Sequence, residues 1–306
     1  MIKSIALLGG TGFVARGIIA AANDRKDIKL CVSSRSPSKV LSFLKENNYQ
    51  CEVISLEEVE TRNFDIIING AGVCDPLIIK ENPELLFKSH EDVDALVMRN
   101  LKSYPMTLFL NISSGAIYGE DFSKPAPKET PYEVPKLLRD IKGSPLDMYA
   151  MTKLFFERKH RELSQFKIVD IRLFSLFHRH IDLDSHYFMS QLLLANKKKE
   201  TFLTSTENLV KDYSHPQDLI EIGLLLSKKE GINQGFDLTS ALPVKKSEIL
   251  DFFVAKYHLD VKYEQMSFNG TKLNYYSESD DLQRLGFTPT GTSLECIARE
   301  MEFLTK

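Results

Sequence analysis

Six short apolar runs, each bounded by turn-forming residues, constrain the fold of this chain more than any other feature. They are Ser4–Leu8, Ile28–Ser33, Cys51–Ser55, Phe64–Asn69, Thr107–Ser113 and Phe166–Leu173. Their richness in Ile, Val, Leu and Phe is the composition of strands covered on both faces. Between them, Ala15–Ala22, Pro37–Asn47, His90–Tyr104 and Met148–Ser164 carry apolar residues at helical spacing. Strand alternating with helix implies βαβ units with right-handed crossovers. The expected fold is therefore α/β, with a doubly wound parallel sheet. Only the connection from Cys51–Ser55 to Phe64–Asn69 looks short for a full crossover helix.

Beyond Ser175 the alternation weakens. Helical patterns at Tyr187–Lys198, Gln217–Lys228 and Lys246–Tyr257 are interleaved with short extended pieces and turns. We expect a sheet domain over residues 1–174, with the chain returning to it around 208–240. Most of 175–306 then forms a smaller lobe over one end of the sheet. A chain of 306 residues suits that division. Ser123–Pro135, rich in proline and charge, reads as an exposed loop near the carboxyl end of the sheet.

Composition removes several function classes. A net charge of -3 gives no reason to expect nucleic acid or an acidic membrane as partner. Cys31, Cys51, Cys74 and Cys296 are scattered without metal-ligand spacing, which argues against zinc or a disulfide framework and fits a reducing compartment. His160, His186 and His258 show no ligand spacing either, and read as solvent-facing or satisfied core residues. No metal site is expected. No apolar run reaches the roughly 18 residues of a membrane span, and the first is too short for a signal peptide. A soluble cytoplasmic protein is the expectation.

Leu8-Gly9-Gly10-Thr11-Gly12-Phe13-Val14-Ala15 follows the first strand and opens the first helix. In that context Gly9 permits the tight turn, Gly12 lets backbone approach a pyrophosphate, and Ala15 allows close helix–strand packing. The helix start adds free N–H groups and a positive dipole end for phosphate. A dinucleotide cradle over Gly9, Thr11, Gly12, Phe13 and Val14 is the reading, against a plain structural turn. At the end of the second strand stands Val32-Ser33-Ser34-Arg35-Ser36, with no carboxylate to meet a free ribose 2′-hydroxyl. Arg35 can instead hold a 2′-phosphate bidentately, with Ser34 or Ser36 adding donors, so NADP(H) is expected over NAD(H). The alternative is a surface arginine. Arg16 is placed over the adenine or beside the added charge. Gly70, Ala71 and Gly72 end the fourth run in small residues that leave room for a cofactor ribose, or else make an ordinary turn.

Tyr149 and Lys153 lie four residues apart, one turn from each other on a helix. An ammonium beside a phenol favours the phenolate. Moving a tyrosine pKa from about 10 to about 7 needs roughly 4 kcal/mol, within reach of a desolvated lysine helped by a cationic nicotinamide. Such a phenol can exchange a proton with a hydroxyl while hydride moves on the other side of the carbon. Ser114 would hold the reacting oxygen. Taken alone, the spacing also occurs in ordinary surface pairs.

Together these pieces resemble an extended short-chain dehydrogenase/reductase, the NAD(P)-dependent branch holding nucleotide-sugar epimerases, dehydratases and reductases, with a Rossmann sheet and a C-terminal substrate-binding lobe. The resemblance rests on Gly9–Val14, on Ile112-Ser-Ser-Gly-Ala-Ile-Tyr-Gly119 and on Tyr149-x-x-x-Lys153. It continues through Ile171–Phe177, Lys211–Leu219 and the stretch from Tyr276-Ser277 to Leu285-Gly286-Phe287-Thr288-Pro289. It implies Ser114 as hydroxyl orienter, Tyr149 as proton donor or acceptor, and Lys153 on the nicotinamide ribose. Ser175 stands where the family often has asparagine on the substrate, and Lys211 where it often has arginine on the diphosphate; lysine keeps the charge but loses the planar fork. His178 and Arg179 replace commoner tyrosine and glycine. Asp92 and Asp94 occupy the region where the family tends to carry an asparagine. His215 is expected to order the lobe.

The implied activity is an NADP(H)-dependent oxidoreductase on a nucleotide-activated sugar, a keto-sugar reductase with Tyr149 as proton donor. A nucleotide-sugar 4-epimerase would need the same Ser114, Tyr149 and Lys153, so the triad does not separate the two. A dehydratase fits less well, because Ser-Gly-Ala stands where Thr-Asp-Glu would be expected. A non-catalytic NADP-sensing protein is the remaining alternative. The helices His90–Tyr104 and Met148–Ser164 suggest a homodimer, as the family often forms.

Overall fold

The computed structural model describes residues 2–119, 122–126, 145–264 and 272–304. Its centre is a seven-stranded, all-parallel sheet in the order β3-β2-β1-β4-β5-β6-β11. The strands are β1 Lys3–Leu8, β2 Ile28–Ser33, β3 Glu52–Ile54, β4 Ile66–Asn69, β5 Leu108–Ser114, β6 Ile168–Leu173 and β11 Asn233–Leu238. The chain runs outward from β1 to β3, crosses to β4 and then runs outward the other way. This reversal leaves a crevice between the carboxyl ends of β1 and β4, where doubly wound sheets bind ligands.

Alternation along the strands builds two cores. Ile5, Leu7, Leu30, Val32, Ile66, Ile68, Leu108 and Leu110 face one side, packed by helices α1 Phe13–Ala22, α2 Pro37–Asn47 and α8 Pro216–Leu226. Ala6, Leu8, Cys31, Ile67 and Phe109 face the other, packed by α3 Leu56–Thr61 and α5 Pro83–Ser103. Each fully buried Ile or Leu contributes about 1.5–3 kcal/mol.

Helix lengths depart from the sequence pattern where proline or a cap sets the start. The expected His90–Tyr104 helix begins at Pro83, whose ring fits a first helical turn and costs no hydrogen bond there. A short α4, Pro76–Glu81, precedes it. The connection that looked too short for a crossover helix holds the six-residue α3, started by a capping box between Ser55 and Glu58. The Tyr149–Lys153 helix, α6, spans Pro145–Glu162.

After β6 come the short strands β7 Ser175–Leu176, β8 Phe202–Thr204, β9 Val210–Lys211 and β10 Tyr213–Ser214. The chain re-enters the main sheet through α8 and β11, then leaves as β12 Val244–Lys245, β13 Val261–Tyr263 and β14 Asn274–Tyr275. Helices α7 Phe188–Lys198, α9 Lys246–Tyr257 and α11 Ser293–Leu304 enclose a separate core around Phe177, Leu192, Phe253, Ile297 and Met301; the short α10, Asp281–Arg284, lies against β11. Of the expected loop Ser123–Pro135, residues 123–126 are described, with Ala126 bridged to Ser277; the remainder lies outside the described residues.

Candidate active site

The glycine turn after β1 closes on itself, Gly12 N–H donating to the Gly9 carbonyl at 2.7 Å. Gly9 has φ +80°, and a Cβ there would stand 2.7 Å from the Ala71 backbone. No L side chain fits either condition. The turn delivers the chain into α1 with Gly12 as an N-cap that offers no side chain. The first N–H groups of α1, including those of Phe13 and Val14, have no acceptor within the helix and face the crevice end. A cleft of about 300 Å³ runs from this turn between Gly9, Thr11 and Gly12, Ser34 and Arg35 after β2, and Gly70, Ala71 and Gly72 after β4. Such a cradle of bare backbone and unpaired helix N–H groups fits a pyrophosphate.

The Phe13 and Val14 side chains do not line this cleft. The Phe13 ring instead stacks on His178 at 4.1 Å, and His178 Nε2 donates to the Phe13 carbonyl at 3.0 Å. His178 thus buttresses the start of α1 from the lobe side, while Arg179 forms a paired contact with Glu300. Of these two departures from the family pattern, His178 braces the cradle and Arg179 ties the chain to α11. Arg16 is not among the residues lining the cleft, and its guanidinium lies 5.3 Å from the Phe43 ring centroid. Arg35 is exposed at the cleft edge, and Ser34 Oγ accepts from the Ser36 N–H at 3.1 Å.

Ser114, Tyr149 and Lys153 converge from two elements. Ser114 ends β5, where its hydroxyl accepts from the Ala116 N–H at 3.1 Å and starts a single 3-10 turn, Gly115–Tyr118. Lys153 on α6 is buried, and its Nζ donates to the Ile112 carbonyl at 2.7 Å. It lies 5.6 Å from the centroid of the Tyr149 ring. Burial lowers the Lys153 pKa to about 8. Burial raises that of Tyr149, while a hydrogen bond with Ser114 works in the opposite direction. In this frame desolvation outweighs any lowering by Lys153, and deprotonating Tyr149 calls for further positive charge nearby.

Tyr275 is the residue the sequence reading missed. Its ring packs on Phe122 and Phe174, at 4.8 and 5.2 Å between centroids, and its hydroxyl, like that of Tyr149, lies close enough to Ser114 for their electrostatics to be linked. Burial pushes it up to about 12. Its backbone register partner is Lys211, so β14 and β9 carry the phenol and the amine side by side. Lys211 borders a small recess with Phe188, Tyr213 and Lys246, and burial lowers its pKa. Ser175 begins β7 directly beyond Phe174 and pairs with Tyr213.

The acidic and histidine candidates separate by role. Asp92 lines the cleft. Asp94 is buried against His160 Nε2 at 2.8 Å, and Asp170 holds Nδ1 at 2.8 Å, making His160 a satisfied core residue. His215 caps α8 and meets Glu300 at 3.1 Å, tying that helix to α11.

The NAD dependent epimerase/dehydratase family model matches residues 5–236. No curated protein matches the chain by sequence. Among solved structures, UDP-N-acetylglucosamine 4-epimerase from Methanobrevibacter ruminantium M1, in complex with UDP-N-acetylmuramic acid, is similar with TM-score 0.78. It has 18% identity, over 99% of this chain and 98% of that one. UDP-glucose-4-epimerase from Stenotrophomonas maltophila, with bound NAD and formylated UDP-arabinopyranose, aligns at TM-score 0.79 and 13% identity, over 99% and 97%. Helicobacter pylori ADP-L-glycero-D-manno-heptose-6-epimerase aligns at TM-score 0.76 and 18% identity, over 99% and 96%. At such identities the structural likeness establishes the fold. The family match over most of the chain carries the assignment: this protein belongs to the NAD dependent epimerase/dehydratase family, enzymes of the extended short-chain dehydrogenase/reductase type.

Proposed function

We propose that the protein is an NADP(H)-dependent oxidoreductase acting on a nucleotide-activated sugar, and specifically a keto-sugar reductase. The observation that carries the cofactor choice is the cleft edge after β2, where Ser34, Arg35 and Ser36 stand and no carboxylate does. Arg35 and Ser34 would take the 2′-phosphate, and Gly9, Thr11, Gly12 and the N–H groups of Phe13 and Val14 the pyrophosphate. Gly70, Ala71 and Gly72 leave space for ribose, and Lys153 would hold the nicotinamide ribose. When bound, the nicotinamide supplies the hydride. Ser114 orients the sugar oxygen and Tyr149 gives it a proton; Ser175 and Lys211 contact the nucleotide sugar, with the Lys211 charge toward its diphosphate.

A nucleotide-sugar 4-epimerase is the second reading, favoured by the epimerases among the structural neighbours. The two separate in one experiment. The protein is incubated with NADPH or NADH and a panel of nucleotide 4-keto sugars and UDP-hexoses. Net cofactor oxidation supports the reductase; sugar interconversion without net oxidation replaces it with the epimerase. No turnover with full cofactor binding would favour an NADP-sensing role. We further propose a homodimer formed through α5 and α6, and residence in the cytoplasm, in keeping with four free cysteines. Among the described residues no helix is long and apolar enough to cross a membrane.

A further inference from the structure

His90 is a buried polar group beside the candidate site that the roles above do not use. It lies on α5 and is 4% exposed. Its Nδ1 is 2.8 Å from the Leu86 carbonyl. A carbonyl only accepts, so Nδ1 carries the proton and Nε2 of the neutral ring is a bare acceptor. No described residue donates to that nitrogen. The ring packs against Phe156, with centroids 5.8 Å apart and planes at 27°, which restrains its rotation.

The direction in which Nε2 points is informative. A Cβ built on Gly72 would stand 3.1 Å from His90 Nε2 and 4.0 Å from Lys153 Nζ. The two nitrogens therefore border the same small space at the edge of the cleft. Lys153 has three N–H donors, and the Ile112 carbonyl takes one. A buried ammonium is tolerated only where its remaining donors also find acceptors. Lys153 is the charged group that faces His90 from α6. On the loop after β4, the thiol of Cys74 interacts with Lys153. On α5 itself, Asp94 is engaged by His160 and Lys159. Burial and the facing ammonium together push His90 down to about 3, so the ring stays a neutral acceptor at working pH.

We propose that His90 is a positioning residue. Through ordered water in the space beside Gly72, its Nε2 accepts a hydrogen bond from Lys153 and keeps the ammonium charged and aimed at Tyr149. One or two waters suffice, because each hydrogen bond spans about 2.8 Å. The catalytic consequence rests on the reading of Lys153 as the partner of Tyr149; the contact itself does not.

The test is an NMR titration of protein labelled with [13Cε]lysine, assigned by Lys153→Met, in the wild type and in His90→Leu and His90→Gln. Losing an acceptor destabilises the charged amine, so His90→Leu should lower the Lys153 pKa by about one unit. His90→Gln, whose amide oxygen also accepts, should stay near the wild type. An unchanged pKa in the leucine variant, or an equal fall in both variants, overturns the proposal. Should His90→Leu fail to fold, 15N shifts of the wild-type ring decide instead. A hydrogen-bonded, unprotonated Nε2 supports the role, and a free or protonated one overturns it. Neither measurement uses cofactor or sugar. A null result counts against His90 alone, whereas failure of the sugar panel counts against the functional reading alone.

Discussion

Lys153 Nζ is anchored to the carbonyl of Ile112, two residues before Ser114 on the same strand, so one strand end positions both partners of Tyr149. Ser114 and Tyr149, 35 residues apart in sequence, are thereby brought to one candidate site. This arrangement also separates two roles for Tyr149. Tyr149→Phe removes the proton but keeps the ring against Lys153. We expect kcat to fall by about 10²–10⁴-fold, the usual worth of positioned acid–base catalysis. Cofactor affinity, measured by fluorescence titration with NADPH, should hardly change. Full turnover in the variant would remove Tyr149 as proton donor.

Arg35 carries the cofactor prediction. It is exposed at the cleft edge, where a free 2′-hydroxyl would meet no carboxylate. Calorimetry should show NADPH binding more than tenfold tighter than NADH. Arg35→Ala should lose about 1.5–3 kcal/mol toward NADPH, the range for hydrogen bonds to charged groups, and little toward NADH. Equal affinities in the unaltered protein would reject the assignment.

The parts of this molecule legible in its sequence are those in which local chemistry and long-range packing agree. Gly9 reads as a turn glycine because its φ and its contact with Ala71 both exclude side chains. The β1 and β4 runs read as buried strands because helices cover both faces. Tyr149 and Lys153 share one helix, so spacing alone shows their proximity. Tyr275 offers no such signal, since its meeting with Ser114 depends on how β14 joins β9, a pairing of two-residue strands. Short pieces of that kind carry no periodicity to read. His90 is hidden for a related reason: its partner lies across the packing of α5 on α6.

The buried His160 makes stability depend on pH. Asp170 and Asp94 raise its pKa from 6.5 to about 9 against the opposing effect of burial. A group whose folded pKa is raised contributes fully below its unfolded value and loses that contribution as pH climbs through the folded one. The contribution is on the order of 3 kcal/mol, present below about pH 6.5 and gone above about pH 9. Urea titrations at pH 6, 7.5 and 9.5 should show stability falling across that window. His160→Asn should flatten the fall and lower stability at pH 6. An equal slope in both proteins would assign the effect to other groups.

The outer faces of α5 and α6 bear on assembly. Phe87 and Phe155 are 37% and 51% exposed, and their rings meet at 5.2 Å between centroids. Exposed phenylalanines gathered from two neighbouring helices form the kind of patch that monomers seldom leave open. A second copy presenting the same two helices would bury it in a four-helix contact related by a twofold axis. Phe155→Glu places a charge at that contact without disturbing the core. Analytical ultracentrifugation at micromolar concentration should give a dimer for the unaltered protein and a monomer for the variant. Thermal stability of the unaltered protein should also rise with concentration, because folding is then linked to association. A monomer in both cases would assign the patch another role.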